Sequence, residues 1–190
     1  MSELSPAPTR SPRADAARNR ERLLAAAKAV FSAGGREASL EAVARRAGLG
    51  VGTLYRHFPT REALFEAVYR REVDELAALA DTLLQADPAE ALRRWVRANI
   101  EFVATKKGMA AALALAAYNK DLSAYSFERL TQALGQLMER ARAAGALRSQ
   151  VTAQELLRAL IGFCMVDDQP DWQATALRLI DVFMDGLLRD

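Results

Sequence analysis

The chain has 190 residues, of which 51% are apolar and 26% charged, a composition typical of globular proteins with a core of ordinary size. A single cysteine excludes a disulfide framework within one chain, and no apolar run approaches the roughly 20 residues that a membrane-spanning helix needs. We therefore expect a cytoplasmic protein without membrane association. Because glycine and proline are scarce, with 10 and 6 residues, the composition favours an all-α fold.

The net charge of +2 is unevenly distributed along the chain. Residues 1–70 carry 12 Lys and Arg against 7 Asp and Glu, whereas residues 71–190 carry 14 against 17. A basic front half is typical of a segment that meets a polyanion, although solvated helix faces also carry uneven charge.

The first 59 residues predict a short arm followed by a small helical domain. Residues 1–14 contain three prolines and no apolar period, which indicates a disordered arm whose arginines either contact a phosphate backbone or only solubilise the chain. From residue 15 to residue 59 we expect three helices. The first carries an apolar stripe from Leu23 to Phe31 and ends at Gly34-Gly35, and the second is capped by Ser39.

Residues 60–190 predict a second, larger helical region that begins with a long connecting helix capped by Thr60. Further start signals are an Asp-Pro pair at 87–88 and a Thr-x-x-Glu capping box at 152–155. Gly108 is expected to end one helix and to separate it from a short apolar helix over 109–118. Together with helices over 124–144 and from Pro170-Asp171, this gives about nine helices and no strand.

The stretch GLGVGTLYRHF, residues 48–58, is the most informative part of the sequence. A helix of about nine residues, a glycine-containing turn and a second short helix form a helix-turn-helix arrangement. The small Ala44 allows the two helices to approach each other closely. The second helix must enter a DNA major groove about 12 Å wide, so its outer face needs hydrogen-bond donors, while Leu54 and Phe58 hold it on the core.

The run LEAVARRAGLGVGTLYRHF at 40–58, followed by TREAL at 60–64, closely resembles the DNA-binding domain of TetR-type bacterial transcriptional regulators. The family pattern is A-x-x-A-G, then x-x-T-L-Y-x-H/Y-F, then a Ser, Thr or Asn before a basic residue. The match covers residues 18–70, and the helix pattern of 71–190 resembles the family's ligand-binding and dimerisation region more loosely. This resemblance implies a three-helix DNA-binding domain joined by a long helix to a C-terminal helical domain.

The resemblance also implies which residues contact double-stranded DNA. Thr53, Tyr55 and His57 match positions that contact the DNA backbone, and Arg61 matches the residue that grips a phosphate. Base-reading positions of the family correspond to Val51, Gly52 and Arg56 and, in the preceding helix, to Glu41 and Arg45. Since Val51 and Gly52 offer little hydrogen bonding, we expect readout to rest on Arg45, Arg56 and methyl contacts, and Glu41 to be solvated. Two alternatives are that His57 stabilises helix-end carbonyls and that Tyr55 fills the core.

Apolar helices in the back half predict a subunit interface. The helix from Thr152 and the last helix are apolar on several sides, so they must be covered on every such side. In the resembled family the corresponding helices pair with those of a second subunit in a four-helix bundle. We therefore expect a homodimer whose interface is formed by Leu157, Leu160, Ile161, Ile180, Phe183, Met184 and Leu187.

A small-molecule effector is the second partner that the resemblance implies, because the family keeps a ligand cavity in its back half. The candidate lining is apolar with a few polar points, which suits a small hydrophobic ligand, although many of these residues also qualify as plain core. The candidates are Trp95, Asn99, Phe102, Met109, Tyr118, Phe127, Leu134, Met138, Phe163, Cys164 and Met165. We predict no cofactor and no metal site.

The leading hypothesis is thus a dimeric repressor that leaves a palindromic operator when an effector binds. An effector-independent regulator or activator is the alternative. A helical enzyme is a third hypothesis, disfavoured because the sequence offers no nucleophile–base pair, metal cluster or phosphate-binding loop.

Overall fold

The computed structural model describes residues 12–33, 39–112, 120–148, 150–165 and 171–188, and within these ranges it is all-helical. The fold class predicted from the sequence is therefore confirmed. The eight helices are α1 (Pro12–Ala33), α2 (Leu40–Arg46), α3 (Val51–His57), α4 (Arg61–Leu83), α5 (Pro88–Ala112), α6 (Lys120–Ala143), α7 (Ala153–Met165) and α8 (Trp172–Leu187).

Four of the predicted helix starts are confirmed by their caps. The side chains of Ser39 and Thr60 accept hydrogen bonds, each of 3.1 Å, from backbone N–H groups of α2 and α4. Asp87 Oδ1 accepts two from the first turn of α5, at 3.0 Å each. Thr152 and Glu155 form the reciprocal capping box, in which each side chain accepts from the other residue's backbone N–H. Each cap satisfies donors that the first helical turn leaves unpaired.

The first three helices pack around buried apolar side chains that are continuous with the core of the back half. Leu23 and Phe31 of α1, Val43 of α2 and Leu54 of α3 have no solvent-exposed surface. Helix α1 packs against α2, and α2 against α3. This packing holds α3 in a fixed position on the outside of the domain, with one face toward the core and the other toward solvent.

Helix α5 is the centre of the back half, since it contacts α1, α4, α6, α7 and α8. Helix α4 lies against α5 and α6, and two buried hydrogen bonds fix it there. Trp95 Nε1 donates to the carbonyl oxygen of Leu76 at 2.9 Å, and the Tyr69 hydroxyl donates to Ser126 Oγ at 2.9 Å. The α7–α8 pair covers the other side of α5. After α8 an isolated antiparallel bridge joins Leu188 to Leu147.

The helix boundary predicted at Gly108 is wrong, because α5 continues through this residue to Ala112. A Cβ atom at position 108 would lie 2.7 Å from the carbonyl oxygen of Phe31, so the glycine permits close contact between α5 and α1. Residues 109–112 therefore belong to α5 and not to the separate helix predicted over 109–118. The remainder of that span lies outside the described residues. This merger reduces the predicted nine helices to eight in the described part of the chain.

Two other boundaries differ from the sequence prediction. Helix α1 begins at Pro12, three residues inside the predicted arm, because proline is well tolerated in a first helical turn. Residues 1–11, and the Gly34-Gly35 pair predicted to end α1, lie outside the described residues. Helix α6 begins at Lys120, four residues before the predicted start.

The contact at Gly108 predicts an unusual response to alanine. Gly→Ala inside a helix ordinarily stabilises a protein by about 0.5–1 kcal/mol. Gly108→Ala should instead lower the free energy of unfolding by about 1–3 kcal/mol, because the new methyl group overpacks against the Phe31 carbonyl. Urea denaturation measures the difference.

The matched control is Gly135→Ala in α6, where the nearest atom, the Cβ of Ala153, lies at an ordinary 3.9 Å. That variant should be as stable as the unmodified chain or more so. A Gly108→Ala protein that matches the Gly135→Ala protein in stability would contradict the proposed role of the close contact.

Candidate nucleic-acid interface

The turn between α2 and α3 is formed by backbone geometry that favours glycine. Gly48 has a φ of +63°, in the left-handed region, and it ends α2 as the sequence predicted. The backbone N–H of Leu49 donates to the carbonyl of Ala44 at 2.9 Å, which closes the turn. Ala44 is buried beneath it, so its small side chain lets the second helix approach the first.

Helix α3 is held on the core by the two apolar residues predicted for that task. Leu54 and Phe58 are both buried, and the guanidinium of Arg20, from α1, lies 5.4 Å from the centre of the Phe58 ring. This cation–π contact covers the end of α3 from the solvent side.

The outer face of α3 exposes the residues predicted to contact DNA. Val51, Gly52, Tyr55 and Arg56 are exposed, while Thr53 and His57 are half-buried. The Tyr55 side chain is not core filler, since the residue is 45% exposed. The phenol, the guanidinium and the imidazole together offer hydrogen-bond donors along a single short helix, which is the chemistry that phosphates and base edges accept.

Two further exposed arginines lie in the helices that precede and follow α3 in the chain. Arg45 lies in the last turn of α2, and Arg61 is the first residue of α4. The N-terminus of α4 adds backbone N–H groups and the positive end of its dipole beside Arg61. The arrangement can therefore hold an anion at the start of α4, next to the outer face of α3.

Glu41 belongs to the cap of α2. A hydrogen bond from its own backbone N–H, then one from the Ser39 side chain and the nearby charge of Arg61, lower the pKa of its carboxyl group. Since Glu41 is exposed and locally stabilised as an anion, these contacts favour a solvated position over a base contact.

The apolar surface of α7 and α8 differs from the predicted interface. Five of the seven predicted residues, Leu157, Leu160, Ile180, Met184 and Leu187, are buried within this chain, so their side chains are not available to a partner. They face α5, α6 and each other, because these two helices must first complete their own subunit's core. Of the predicted set, Ile161 is exposed and Phe183 half-buried, with the Phe183 ring 5.7 Å from that of Phe163.

A different set of apolar side chains faces solvent on these helices. Met165, Leu179 and Val182 are 57%, 43% and 72% exposed, and we call these three residues and Ile161 the α7–α8 face. Of these four residues, only Ile161 was predicted to lie at the subunit interface. All four lie on sides of α7 and α8 that the chain's own core leaves uncovered.

Most candidate ligand-lining residues lie in the interior of the back half. Those that are buried are Trp95, Asn99, Phe102, Met109, Leu134, Met138 and Cys164, and those that are half-buried are Phe127 and Phe163. Met165 differs from them because it is exposed on the α7–α8 face, and Tyr118 lies outside the described residues. Trp95 already donates its N–H to Leu76. The buried Oδ1 of Asn99 has no hydrogen-bond partner among the described residues.

Two family models match the chain, and both describe transcriptional regulators. The model for bacterial regulatory proteins of the tetR family matches residues 23–68, and that for the C-terminal domain of SbtR-like transcriptional regulators matches residues 87–189. The second match alone covers more than half of the chain. The chain belongs to the TetR family of bacterial transcriptional regulators.

Solved structures of TetR regulators resemble this chain over most of its length. The TetR transcriptional regulator SCO0520 from Streptomyces coelicolor is 47% identical with a TM-score of 0.75, and the match covers 89% of this chain and 98% of that one. A TetR regulatory protein from Mycobacterium vanbaalenii is 34% identical with a TM-score of 0.72, over 94% and 100% of the two chains.

A curated relative matches about a third of the chain. The HTH-type transcriptional repressor KstR from Mycolicibacterium smegmatis is 44% identical over 63 residues, which is 33% of this chain and 31% of that repressor. Within the described residues of the TetR-family chain, no helix is long and apolar enough to cross a membrane, and no group of His, Cys, Asp and Glu is arranged to hold a metal ion.

One feature that sequence reasoning missed in this TetR-family protein is a buried carboxylate between its two halves. Glu72 is only 6% exposed and lines a cavity between α1, α4 and α5. The available signal was periodicity: position 72 falls on the inward register of α4 defined by Phe65, Tyr69 and Leu76, where an apolar residue is expected. Of the predicted ligand residues, Phe102 also lines this cavity.

Cys164 behaves as a core residue of the regulator. It has no exposed surface, burial raises the pKa of its thiol to about 11, and the nearby charge of Lys107 offsets this only in part. At pH 8 only about one thiol in a thousand would be ionised, and the thiolate is the reactive form.

We therefore expect iodoacetamide to modify Cys164 at least about a hundredfold more slowly in the native protein than in urea, as mass spectrometry of quenched samples can measure. The urea-unfolded chain is its own control, since it carries the same single thiol. Equal rates in the two states would contradict the burial of Cys164.

Proposed function

We propose that this TetR-family regulator is a homodimeric repressor that binds a palindromic operator and is released by a small, mainly hydrophobic effector. The observation that carries the DNA-binding part is the outer face of α3, whose exposed donors continue through Arg45 and Arg61. In this proposal Thr53, Tyr55, His57 and Arg61 contact the backbone. Base edges are read by Arg45 and Arg56, with methyl contacts from Val51 beside Gly52.

Dimer formation is supported by the α7–α8 face. Four large apolar side chains are exposed on two helices that contact each other, and in a dimer a partner would cover them. In a twofold dimer each helix of this face would meet its symmetry mate, which gives the four-helix arrangement expected from the sequence. The same symmetry would present two α3 helices to two half-sites one helical turn apart.

Effector release is supported by the continuity of α4. Its first residues carry Thr60 and Arg61 at the DNA-binding end, and its second half is packed against α5 and α6. A ligand that changes the packing of the back half therefore tilts α4 and changes the separation of the two α3 helices. Since half-sites are about 34 Å apart, a shift of a few Å in each subunit breaks simultaneous binding.

The roles of the arginines predict two different kinds of binding defect. Arg61→Ala should weaken binding to every DNA sequence and reduce the slope of log affinity against log salt by about one, as the loss of one phosphate contact implies. Arg56→Ala should instead cost about 1–3 kcal/mol on the cognate site alone and reduce discrimination. Fluorescence anisotropy on a site selected from random duplexes, and on a scrambled duplex, measures both.

The control is Arg129→Ala, because this exposed arginine lies on α6 and pairs with Asp74, away from α3. Its affinity and salt slope should equal those of the unmodified protein. Uniform weakening by both Arg56→Ala and Arg61→Ala would show that base readout lies elsewhere.

The α7–α8 face predicts a variant that separates dimerisation from folding. Val182→Arg adds a charge to a side chain that is 72% exposed in the single chain, so each subunit should fold normally. In a dimer the same charge would be buried without a partner, at a cost of several kcal/mol. Light scattering should show the mass of one chain, and operator affinity should fall because only one α3 binds.

Gln132→Arg on the exposed side of α6 is the matched control and should leave a dimer. A Val182→Arg protein that remains a stable dimer with full operator affinity would place the interface on another surface.

A further inference from the structure

The cavity between the two halves lies where three helices meet. Lys28 comes from α1, Glu72 and Leu79 from α4, and Phe102 and Thr105 from α5. Its volume is about 290 Å³, which is near the lower end of the range for small-molecule sites. It therefore lies between the DNA-binding helices and the helices of the back half.

The charges that line the cavity are mainly negative. Glu72, Glu75 and Glu101 face a single lysine, Lys28, whose Nζ lies 2.5 Å from Glu72 Oε2 and 3.5 Å from Glu75 Oε2. The guanidinium of Arg71 is beside the cavity and contacts Glu75. Lys28 and Arg71 together do not balance three carboxylates, so the site favours an additional cation.

Glu72 is the carboxylate whose hydrogen bonds are incomplete. Lys28 occupies Oε2, but the buried Oε1 has no hydrogen-bond partner among the described residues. Burial raises the pKa of the Glu72 carboxyl group, and the attraction of Lys28 offsets this only in part. A hydrogen-bond donor that enters from the cavity would pair with this carboxylate after a small rotation of the group. Leaving a buried carboxylate oxygen without a hydrogen bond is costly.

The remaining walls are apolar, which restricts the kind of cation. Leu76, Leu79, Ala98 and Phe102 contribute hydrocarbon surface next to the carboxylates. A hydrated metal ion gains nothing from such walls, and the carboxylates are not grouped as metal ligands within the described part of the chain. An organic cation with an apolar body can pair its charge with the carboxylates and pack its hydrocarbon part against the apolar side chains.

We propose that this cavity binds amphiphilic amines, with the protonated amine on Glu72 and the apolar body against Leu79 and Phe102. The proposal deepens the proposed function, because it gives the effector a chemical class and a binding site. Its link to DNA release rests on that proposed function. The bound ammonium competes with Lys28 for Glu72, and it can do so because Lys28 lies at the surface, with a side chain that is 45% exposed.

Competition at Glu72 would act directly on α1. The Lys28–Glu72 ion pair joins α1 to α4, and beside it Ser32 Oγ and Thr105 Oγ1 form a 3.2 Å hydrogen bond between α1 and α5. An amine that takes over Glu72 leaves Lys28 paired with Glu75 alone and so weakens the first of these links. The three-helix domain then loses part of its attachment to the back half, and the position of α3 changes with it.

The test compares two ligands that differ only in charge. Phenethylammonium chloride and phenethyl alcohol have the same apolar body, and calorimetry without DNA should show that the amine binds at least about tenfold more tightly, as expected when a hydrogen bond to a charged group is formed. Equal affinities, or no heat from the amine at millimolar concentration, would overturn the proposal.

Three variants locate the binding site. Glu72→Gln removes the charge, and Ala98→Leu fills the cavity while leaving the Lys28–Glu72 pair in place, so each should weaken amine binding by about tenfold or more. Glu66→Gln, which removes an exposed carboxylate of α4 paired with Arg70, is the matched control and should bind normally. Thermal unfolding verifies that each variant is folded. Amine binding unchanged in folded Ala98→Leu would overturn the site even if Glu72→Gln fails to fold.

Operator binding is measured separately, so that the two proposals fail in different ways. Saturating amine should lower operator affinity in the unmodified protein and leave the affinity of the Ala98→Leu variant unchanged. Amine binding that has no effect on a measurable operator complex would overturn the assignment of this cavity as the effector site. Failure to find any DNA site, with amine binding intact, would overturn the proposed repressor function and leave the binding site standing.

Discussion

Helix α4 is the structural constraint on which both halves of the chain depend. Its 23 residues span about 34 Å, from the Thr60 cap beside α3 to the contacts with α5 and α6. Ten of these residues are buried, and the apolar ones belong to one hydrophobic core that runs through both halves. Because α4 packs against the helices of both halves, neither half can move without changing its packing against α4. A rigid shared element is how a change of packing in one half becomes a change of position in the other.

A second link reinforces α4 and fixes the rotation of the DNA-binding domain. Helix α1 contacts α5 through the close approach of Phe31 to Gly108 and through the hydrogen bond between Ser32 and Thr105. One shared helix alone would leave the small domain free to swing about the helix axis. With α1 held against α5, the orientation of α3 relative to the α7–α8 face is set by two contacts in place of one.

The DNA-binding domain was predictable because its signals are local. Ser39 and Thr60 mark helix starts, Gly48 marks a turn, and the spacing of Leu54 and Phe58 identifies the buried side of α3. Each of these is a requirement of the backbone or of a single helix face, and it can be recognised within a few residues. The same holds for Asp87 and for the capping box at Thr152 and Glu155, so the starts of α5 and α7 were also predicted, whereas α6 begins four residues before its predicted start.

The back half was less predictable because its requirements are tertiary. Gly108 resembles a helix end in sequence, whereas its lack of a side chain is required by the carbonyl of Phe31, 77 positions earlier. Apolar residues on several sides of α7 and α8 do not reveal which side meets the chain's own core. That is why Leu160 and Ile180 were assigned to a partner, and why the exposed Val182 was overlooked.

Departures from local rules are concentrated at the junction of α1, α4 and α5. Glu72 occupies an apolar register of α4, and Gly108 lies inside α5, where the close approach of the Phe31 carbonyl requires the missing side chain. The buried Oε1 of Glu72 also lacks a partner among the described residues. A leucine at position 72 would satisfy the register of α4 without leaving a buried carboxylate, so stability does not explain this residue. Groups that lower stability without improving packing are expected where a protein binds or switches, and this junction is the place where the DNA-binding helices meet the rest of the regulator.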